Sequence, residues 1–263
     1  MTGIAILALA SNADRYIHRF IGLAKEVGEC FGPHHLFVYE SDSTDGTRSL
    51  LRGYESHDWI DVVYGDSLRK RFPHKTWRLA HARQALMDKL VSSNFNPALV
   101  LVFDIEDVAL DPKRVHEFLT EAMRHSESWH GVFPMPTSGF KALRYGQYVK
   151  NYTEIENLIK AGEASSWMEG YISSIKDVFL VRSRGGELMP VFSCFSGIGL
   201  YRYETYKKGK YSGANVFFTT IVNRPARSSL APEESEHVNL HRSLGPNARL
   251  MVLPNISYPK VLS

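Results

Sequence analysis

An apolar run closes in acids. Leu99-Val-Leu-Val-Phe103 is followed by Asp104, Glu106 and Asp107, with Ile105 between the first two. A short, β-branched, unbroken run is the mark of a strand buried on both faces, as in a parallel sheet. Such strands deliver ligand-binding groups at their carboxyl ends, where the sheet opens into a crevice. Two residues apart on an extended chain, Asp104 and Glu106 point to the same side. Two convergent hard oxygen donors suit Mg²⁺ or Mn²⁺ holding a diphosphate. The same stretch also reads as a strand ending in a solvated acidic turn that caps the next helix. Taken alone, it does not separate the two.

Other groups with chemical potential are spread along the chain. Glu40, Asp42 and Asp45 follow a second apolar run, where acids can accept hydrogen bonds from ribose hydroxyls or a base N–H. Ser43, Thr44, Asp45 and Gly46 equally make a capped turn, and Asp45 is read mainly as a cap. Residues 8–12, including Ala10, end the first strand beside them and are expected to touch a bound nucleotide by backbone. Arg78 and Arg83 lie five apart on a helix and share no face well, so one reaches a diphosphate while the other turns away. Residues 69–75 hold Arg69, Lys70, Arg71, His74 and Lys75. They are read either as a source of positive potential for a doubly charged donor or as a solvated loop. Gly197 and Gly199 permit close backbone approach to a ligand, or mark a bulged strand. Glu233, Glu234, Glu236, His237 and His241 form the densest titratable cluster. Glu236 is the candidate general base, with Glu234 beside it; His241, or alternatively His237, is a candidate metal ligand. Trp167, Glu169 and Tyr171 could meet a sugar face or an acceptor hydroxyl.

The elements that must position these groups follow from periodicity. Strands are expected over 4–9, 36–39, 59–64, 98–104 and 132–135, and helices over 13–29, 44–52, 76–91 and from Pro112. Asn12 or Asp14 is the expected cap of the first helix. Alternating strand and helix over residues 1–135 means a mostly parallel sheet with helices on both faces, an α/β fold. The later part is less regular, with short strands over 178–181 and 190–194, a short helix over 204–210 and a last strand over 249–253. One domain is expected over 1–263: a nucleotide-sugar-binding half over 1–135, an acceptor-side half over 136–248, and a last strand and tail over 249–263.

Five stretches in this order resemble the GT-A glycosyltransferases, the nucleotide-diphospho-sugar transferase architecture. Tyr39-Glu-Ser-Asp-Ser-Thr-Asp-Gly-Thr47 is similar to the acidic turn after the family's second strand. Arg78-Leu-Ala-His-Ala-Arg-Gln-Ala-Leu86 resembles its Arg-x-x-x-Ala-Arg-Asn helix, with Gln84 in place of Asn. Asp104-Ile-Glu-Asp107 stands where the metal-binding Asp-x-Asp motif would be, with Glu106 a departure. Cys194-Phe-Ser-Gly-Ile-Gly-Leu-Tyr-Arg202 resembles the downstream glycine-rich segment. Ser235-Glu-His-Val-Asn-Leu-His-Arg242 looks like the late Glu-His-x-x-x-His variant. Capsule-type mannosyltransferases and related viral and microbial glycan transferases are closest in flavour. The resemblance implies transfer of a hexosyl or deoxyhexosyl unit from a nucleotide-diphospho-sugar, UDP-sugar favoured over GDP-sugar, to a glycan hydroxyl. Mn²⁺ or Mg²⁺ is the implied cofactor. Asp104, Glu106, Asp107, His241 and His237 are the implied metal set, and Ala10, Glu40, Asp42, Arg78, Arg83, Asp104, Ile105 and Gly197 the donor set. With Glu236 as base the transfer inverts; without a base on the far face it retains configuration.

Bulk properties are compatible with this. The chain has 263 residues and is 44% hydrophobic, enough for one large core. A net charge of +3 argues against a dedicated nucleic-acid binder. Two cysteines make neither a disulfide framework nor a zinc site and fit a reducing compartment. No run approaches the roughly eighteen apolar residues of a membrane span. The start lacks a basic region before its apolar run, so a soluble cytoplasmic protein without a signal peptide is expected. Two rivals stand beside the transferase: a sugar nucleotidyltransferase, disfavoured because no glycine-rich basic signature follows the first strand, and a non-catalytic glycan- or nucleotide-binding module.

Overall fold

The computed structural model describes residues 3–105, 112–136, 148–149, 188–214 and 235–258. In chain order the elements are β1 (Ile4–Ala10), α1 (Asp14–Phe31), β2 (His34–Ser41), α2 (Thr47–Tyr54), β3 (Ile60–Gly65), α3 (Leu68–Arg71), α4 (Lys75–Ser92) and β4 (Leu99–Asp104). They continue with α5 (Pro112–Arg124), β5 (Gly131–Pro136), β6 (Tyr148–Val149), β7 (Met189–Pro190), β8 (Ser193–Cys194), β9 (Ile198–Arg202), α6 (Tyr203–Tyr206), α7 (Glu236–Ser243) and β10 (Leu250–Tyr258).

Eight strands make one mixed sheet in the order β3-β2-β1-β4-β9-β5-β10-β7, and β6 pairs with β8 apart from it. β1 is parallel to β2 and to β4, and β2 to β3. The chain thus winds outward from β1 through β2 to β3, then crosses back to place β4 on the other side of β1. That reversal is a topological switch point, where open α/β sheets leave a crevice at the strands' carboxyl ends. In register, Leu9 of β1 stands between Tyr39 of β2 and Asp104 of β4. β9 runs antiparallel between β4 and β5, so residues from the expected acceptor-side half complete the same sheet.

Strand alternation sorts the core into two faces. Ala5 and Leu7 of β1, Phe37 and Tyr39 of β2, and Val100 and Val102 of β4 pack with α4 and α7. Ile4, Ile6, Leu36, Val38, Leu101 and Phe103 pack with α1 and α5. The same parity carries Asp104 to the α4–α7 side and Glu40 to the opposite side.

Local departures from expectation have physical causes. Neither Asn12 nor Asp14 caps α1. Its N-cap position is Ala13, whose N–H donates to Thr47 Oγ1 at 2.7 Å, while the Asp14 N–H donates to Asp45 Oδ2 at 3.2 Å. The cap comes from the neighbouring βα turn. The basic segment begins as a one-turn helix, α3, over residue 67's left-handed backbone. β10 runs longer than expected, with a register shift between Leu253 and Ser257, where Pro254 has no N–H for the ladder.

The strap over residues 211–214 lies directly on the start of α4. A Cβ added to Gly213 would sit 2.5 Å from Thr76 backbone atoms, and Thr76 Oγ1 donates to the Gly213 carbonyl at 3.2 Å. Backbone cannot yield as a flexible side chain does. Gly213→Ala is therefore expected to lower stability by about 2 kcal/mol, read as a fall in Tm of roughly 4 °C or more by calorimetry. An unchanged Tm would show that the strap can shift freely.

Candidate active site

The centre of the site is a buried guanidinium. Arg83 projects from the inward face of α4 among Ala80, Ala82, Leu86 and Met87 and is 3% exposed. Its Nη2 donates to Asp104 Oδ1 at 2.5 Å, and its Nε donates to Glu236 Oε1 at 3.2 Å. Its charged carbon stands 5.1 Å from the centroid of the Phe195 ring, and Phe195 stacks on His237 at 3.5 Å. Residues 83, 104, 195 and 236, remote in sequence, meet at the carboxyl end of β4.

Each position follows from its element. Strand parity turns Asp104 toward α4. The Asp104 N–H donates at 2.8 Å to the carbonyl of Gly197, whose φ of +80° turns the chain into β9. Only glycine adopts that backbone at little cost. Glu236 opens α7, whose residues 236–241 are all buried although four of the six are polar. That burial is possible because Glu236, Asn239 and His241 find hydrogen-bond partners, while the His237 ring is stacked on Phe195. Asn239 Nδ2 donates to the carbonyls of Ser212 and Ala214, and Arg242 donates to Asn239 Oδ1. His241 lies between Ser193 Oγ at 2.7 Å and the Tyr201 hydroxyl at 2.9 Å.

Electrostatics sharpen the roles. Burial pulls the Arg83 pKa down, but Asp104 and Glu236 outweigh it and hold the group above the ordinary arginine value. Burial pushes the Glu236 carboxyl up, opposed by Arg83. Burial pulls the His241 imidazole down to about 3, so the ring is neutral across the working pH range. Asp104 is the part of the cluster with an open side, its side chain 29% exposed against 8% for Glu236.

Not every expected residue joins this cluster. Glu40 is fully buried on the other face of the sheet, where Oε2 accepts from Arg48 Nε and Oε1 from the Ser43 N–H at 3.2 Å. Its carboxylate holds the turn. Ala10 pairs with Glu40 in register and stands at the rim, while the Ile105 side chain packs into the α1–α5 core. Arg78 is drawn away: its Nη1 donates to the carbonyls of Phe72 and Pro73, both at 2.8 Å. Asp42 stays at the rim, its Oδ2 accepting the Arg69 N–H at 3.1 Å.

Of the two expected metal-ligand histidines, His241 is held by its neighbours through both ring nitrogens, and His237 is 2% exposed within an aromatic stack. Among the described residues no group of three possible ligands converges. Asp104 fits by chemistry and exposure. Glu106, Asp107, Glu233 and Glu234 lie outside the described residues, as do Trp167, Glu169, Tyr171 and the strand expected over 178–181.

Sequence reasoning missed Phe195, Ser193, Tyr201 and Asn239 as parts of the site. It also missed the backbone at its edge. Asn12, Asp42 and Ser67 are the non-glycine residues with positive φ among those described, at 53°, 53° and 56°. They follow the carboxyl ends of β1, β2 and β3, so the left-handed positions rim the crevice. Asn and Asp tolerate that region and could have been suspected; Ser67 gave no such signal.

Comparison with solved structures assigns the fold. The fold is that of the GT-A glycosyltransferases. The mannosyltransferase PcManGT from Pyrobaculum calidifontis, solved with GDP-Man and Mn²⁺, matches 100% of this chain with a TM-score of 0.53 at 10% identity, over 57% of its own length. S. aureus TarS (residues 1-349) matches 97% of the chain, with a TM-score of 0.47, 12% identity and 59% of its own length. Glucosyl-3-phosphoglycerate synthase from Mycobacterium tuberculosis, solved with UDP, matches 79% of the chain, with a TM-score of 0.43, 14% identity and 59% of its own length. The chain thus spans less than three-fifths of each of these structures. No protein-family profile matches the sequence, and no curated protein does. Among the described residues no helix is long and apolar enough to cross a membrane.

The neutral His241 predicts a pH dependence. Its folded pKa lies below the unfolded value near 6.5, so its contribution to stability is full above that value and is lost as pH falls from about 6.5 toward 3. The loss has a slope of up to about 1.4 kcal/mol per pH unit. His241→Asn is expected to be less stable than the natural protein at pH 7.5, with the gap narrowing steadily by pH 5. Denaturant melts across that range check it; a constant gap would show that His241 does not titrate with unfolding.

Proposed function

We propose that the chain is a metal-dependent glycosyltransferase moving a sugar from a nucleotide-diphospho-sugar to a hydroxyl of a glycan acceptor. The observation that carries this reading is the Arg83–Asp104–Glu236 cluster at the switch point of a GT-A sheet. Sugar transfer leaves a nucleoside diphosphate whose negative charge grows as the glycosidic bond breaks. Preorganised positive charge in a poorly solvated site stabilises that change without reorganising. A metal ion held at Asp104 would supply that charge, and Arg83, paired with two carboxylates and set against an aromatic ring, fixes Asp104 in place. The nucleoside end lies over the rim at Ala10 and Asp42.

Asp104, with Glu106 or Asp107, would hold Mn²⁺ or Mg²⁺. When bound, the ion supplies Lewis-acid neutralisation of the departing diphosphate. Arg83 orients the Asp104 carboxylate at the open side of the site. His237 and His241 have no part in this set; they build the wall behind it.

Glu236 serves first as the counter-ion that holds Arg83. A second reading, as general base for an inverting transfer, is favoured by the burial that raises its pKa toward the operating range. Glu234, outside the described residues, is the other acid for that role. Glu236→Gln separates the two. As counter-ion it is expected to raise the donor KM several-fold while kcat falls less than about tenfold; removal of a general base instead lowers kcat by about 10²–10⁴.

The overall reading is tested with purified protein, Mn²⁺ and UDP-, GDP- and dTDP-sugars. Stabilisation in a thermal shift is expected for one nucleotide class, UDP before GDP, together with release of nucleoside diphosphate. Asp104→Ala is expected to remove both the Mn²⁺-dependent part of the shift and the release. Binding with neither transfer nor slow donor hydrolysis, unaltered by Asp104→Ala, would leave a binding module instead.

A further inference from the structure

Residues 67–87 form a stretch of a single sign. They hold six formal cations, Arg69, Lys70, Arg71, Lys75, Arg78 and Arg83, and no acid. The whole chain carries +3, so the rest of it is net −3, the difference between +3 and +6. Two of the six have internal work: Arg83 in the buried cluster and Arg78 on the carbonyls of Phe72 and Pro73. The other four, Arg69, Lys70, Arg71 and Lys75, are exposed. None of them forms an ion pair among the described residues.

A solvated basic loop would explain exposed cations, but not the way this one is built. Leu68 is buried beneath it, the Arg69 N–H is held by Asp42 at the end of β2, and the Phe72 N–H donates to the Leu68 carbonyl at 2.8 Å. Arg78 clamps the two carbonyls that follow. Ser67, just before it, is kept in the left-handed region. The backbone is pinned at the crevice rim while Arg69, Lys70 and Lys75 are left exposed, and the Arg71 guanidinium lies over the Phe72 ring at 5.3 Å, exposed on its other side. Strained backbone persists only where its surroundings over-determine it.

We propose that α3 together with Lys75 is a docking surface for a polyanionic acceptor, a glycan chain whose units carry phosphate or carboxylate groups. The acceptor class rests on the glycosyltransferase reading; the surface itself does not. A membrane is the poorer fit, because the one large hydrophobic side chain exposed among the described residues is Val91, near the far end of α4, and nothing beside α3 can insert. Four cations alone would give a leaflet only about 1 kcal/mol each. A single donor diphosphate is also a poor match, being small enough to be served by a metal ion at Asp104. A flexible chain with repeated charges engages all four cations and releases its counter-ions.

The test reads binding without turnover. Fluorescent polygalacturonate and inorganic polyphosphate are titrated with the whole chain from 50 to 300 mM NaCl, with neutral dextran and phosphatidylglycerol vesicles in parallel. Both polyanions are expected to bind, dextran not, with log K falling against log salt with a slope of about −3 for four contacts. Arg69→Gln/Lys70→Gln/Lys75→Gln is expected to weaken polyanion binding at least tenfold at the lowest salt and reduce the slope to about −1. Lys208→Gln/Lys210→Gln, which neutralises exposed lysines elsewhere, is expected to leave both unchanged. The docking surface is overturned if the triple variant binds polyanions like the natural protein, if vesicles bind as tightly as the polymers, or if only nucleotide binding weakens. Failure of the transferase reading would show separately, as no binding or turnover of any nucleotide sugar by the natural protein.

Discussion

Arg83 is a charge that must be buried for the two halves of the chain to meet. Taking a guanidinium out of water costs several kcal/mol even after relaxation. Here that cost is offset by two carboxylates from opposite directions and by the Phe195 ring. Loss of one partner would leave an uncompensated buried charge, typically 3–5 kcal/mol. Consequently α4, the end of β4 and the start of α7 cannot move independently: the position of each is set by the same guanidinium. With all three groups ionised the cluster is net negative, and its open member is Asp104. A cluster so balanced favours a cation over an anion at its open edge.

A second constraint operates at the rim. The turns after β1 and β2 are laced to one another: Asn12 donates through its N–H to Ser43 Oγ and accepts through Oδ1 from the Thr44 N–H, while Thr47 and Asp45 take the first N–H groups of α1. These bonds hold Asn12 and Asp42 in a backbone region that non-glycine residues rarely adopt. The lacing and the strain occur together at the carboxyl edge of the sheet. A helix capped by its own residue would not need a neighbouring turn; α1 is capped by one, so the first two βα units are a single rigid piece.

Much of this was legible in the residues, for reasons that also mark where legibility ended. The apolar run before Asp104 can only be a strand buried on both faces, and the five-residue offset of Arg78 and Arg83 already divides them between two environments. Alternation along β2 could have assigned Glu40 to the face opposite Tyr39, away from the Arg83 cluster; attention to its acidity alone hid that. The fate of His241 could not be read. An imidazole four residues after another on a helix looks like a ligand pair until Ser193 and Tyr201, forty or more residues away, turn out to hold both its nitrogens. Phe195 was visible inside its glycine-rich motif, but its role exists only because Arg83 and His237 converge on it. Long-range partners decide these cases, and local pattern does not contain them.

The composition of α7 is the strongest sign that the cluster is more than a structural ion pair. Glu-His-Val-Asn-Leu-His is a poor sequence for a fully buried turn and a half, since each unpartnered polar group would cost about 1–3 kcal/mol. Apolar residues of similar volume would fill the same space without requiring Asn239 to hold the strap over 211–214, or Ser193 and Tyr201 to hold His241. Replacing buried ion pairs by packed apolar side chains is often neutral or stabilising. A fold optimised only for stability has no use for this arrangement. A site that must fix one carboxylate at an open edge does: it needs a buried cation behind that carboxylate, a second acid to hold the cation, and a helix that brings the second acid inside.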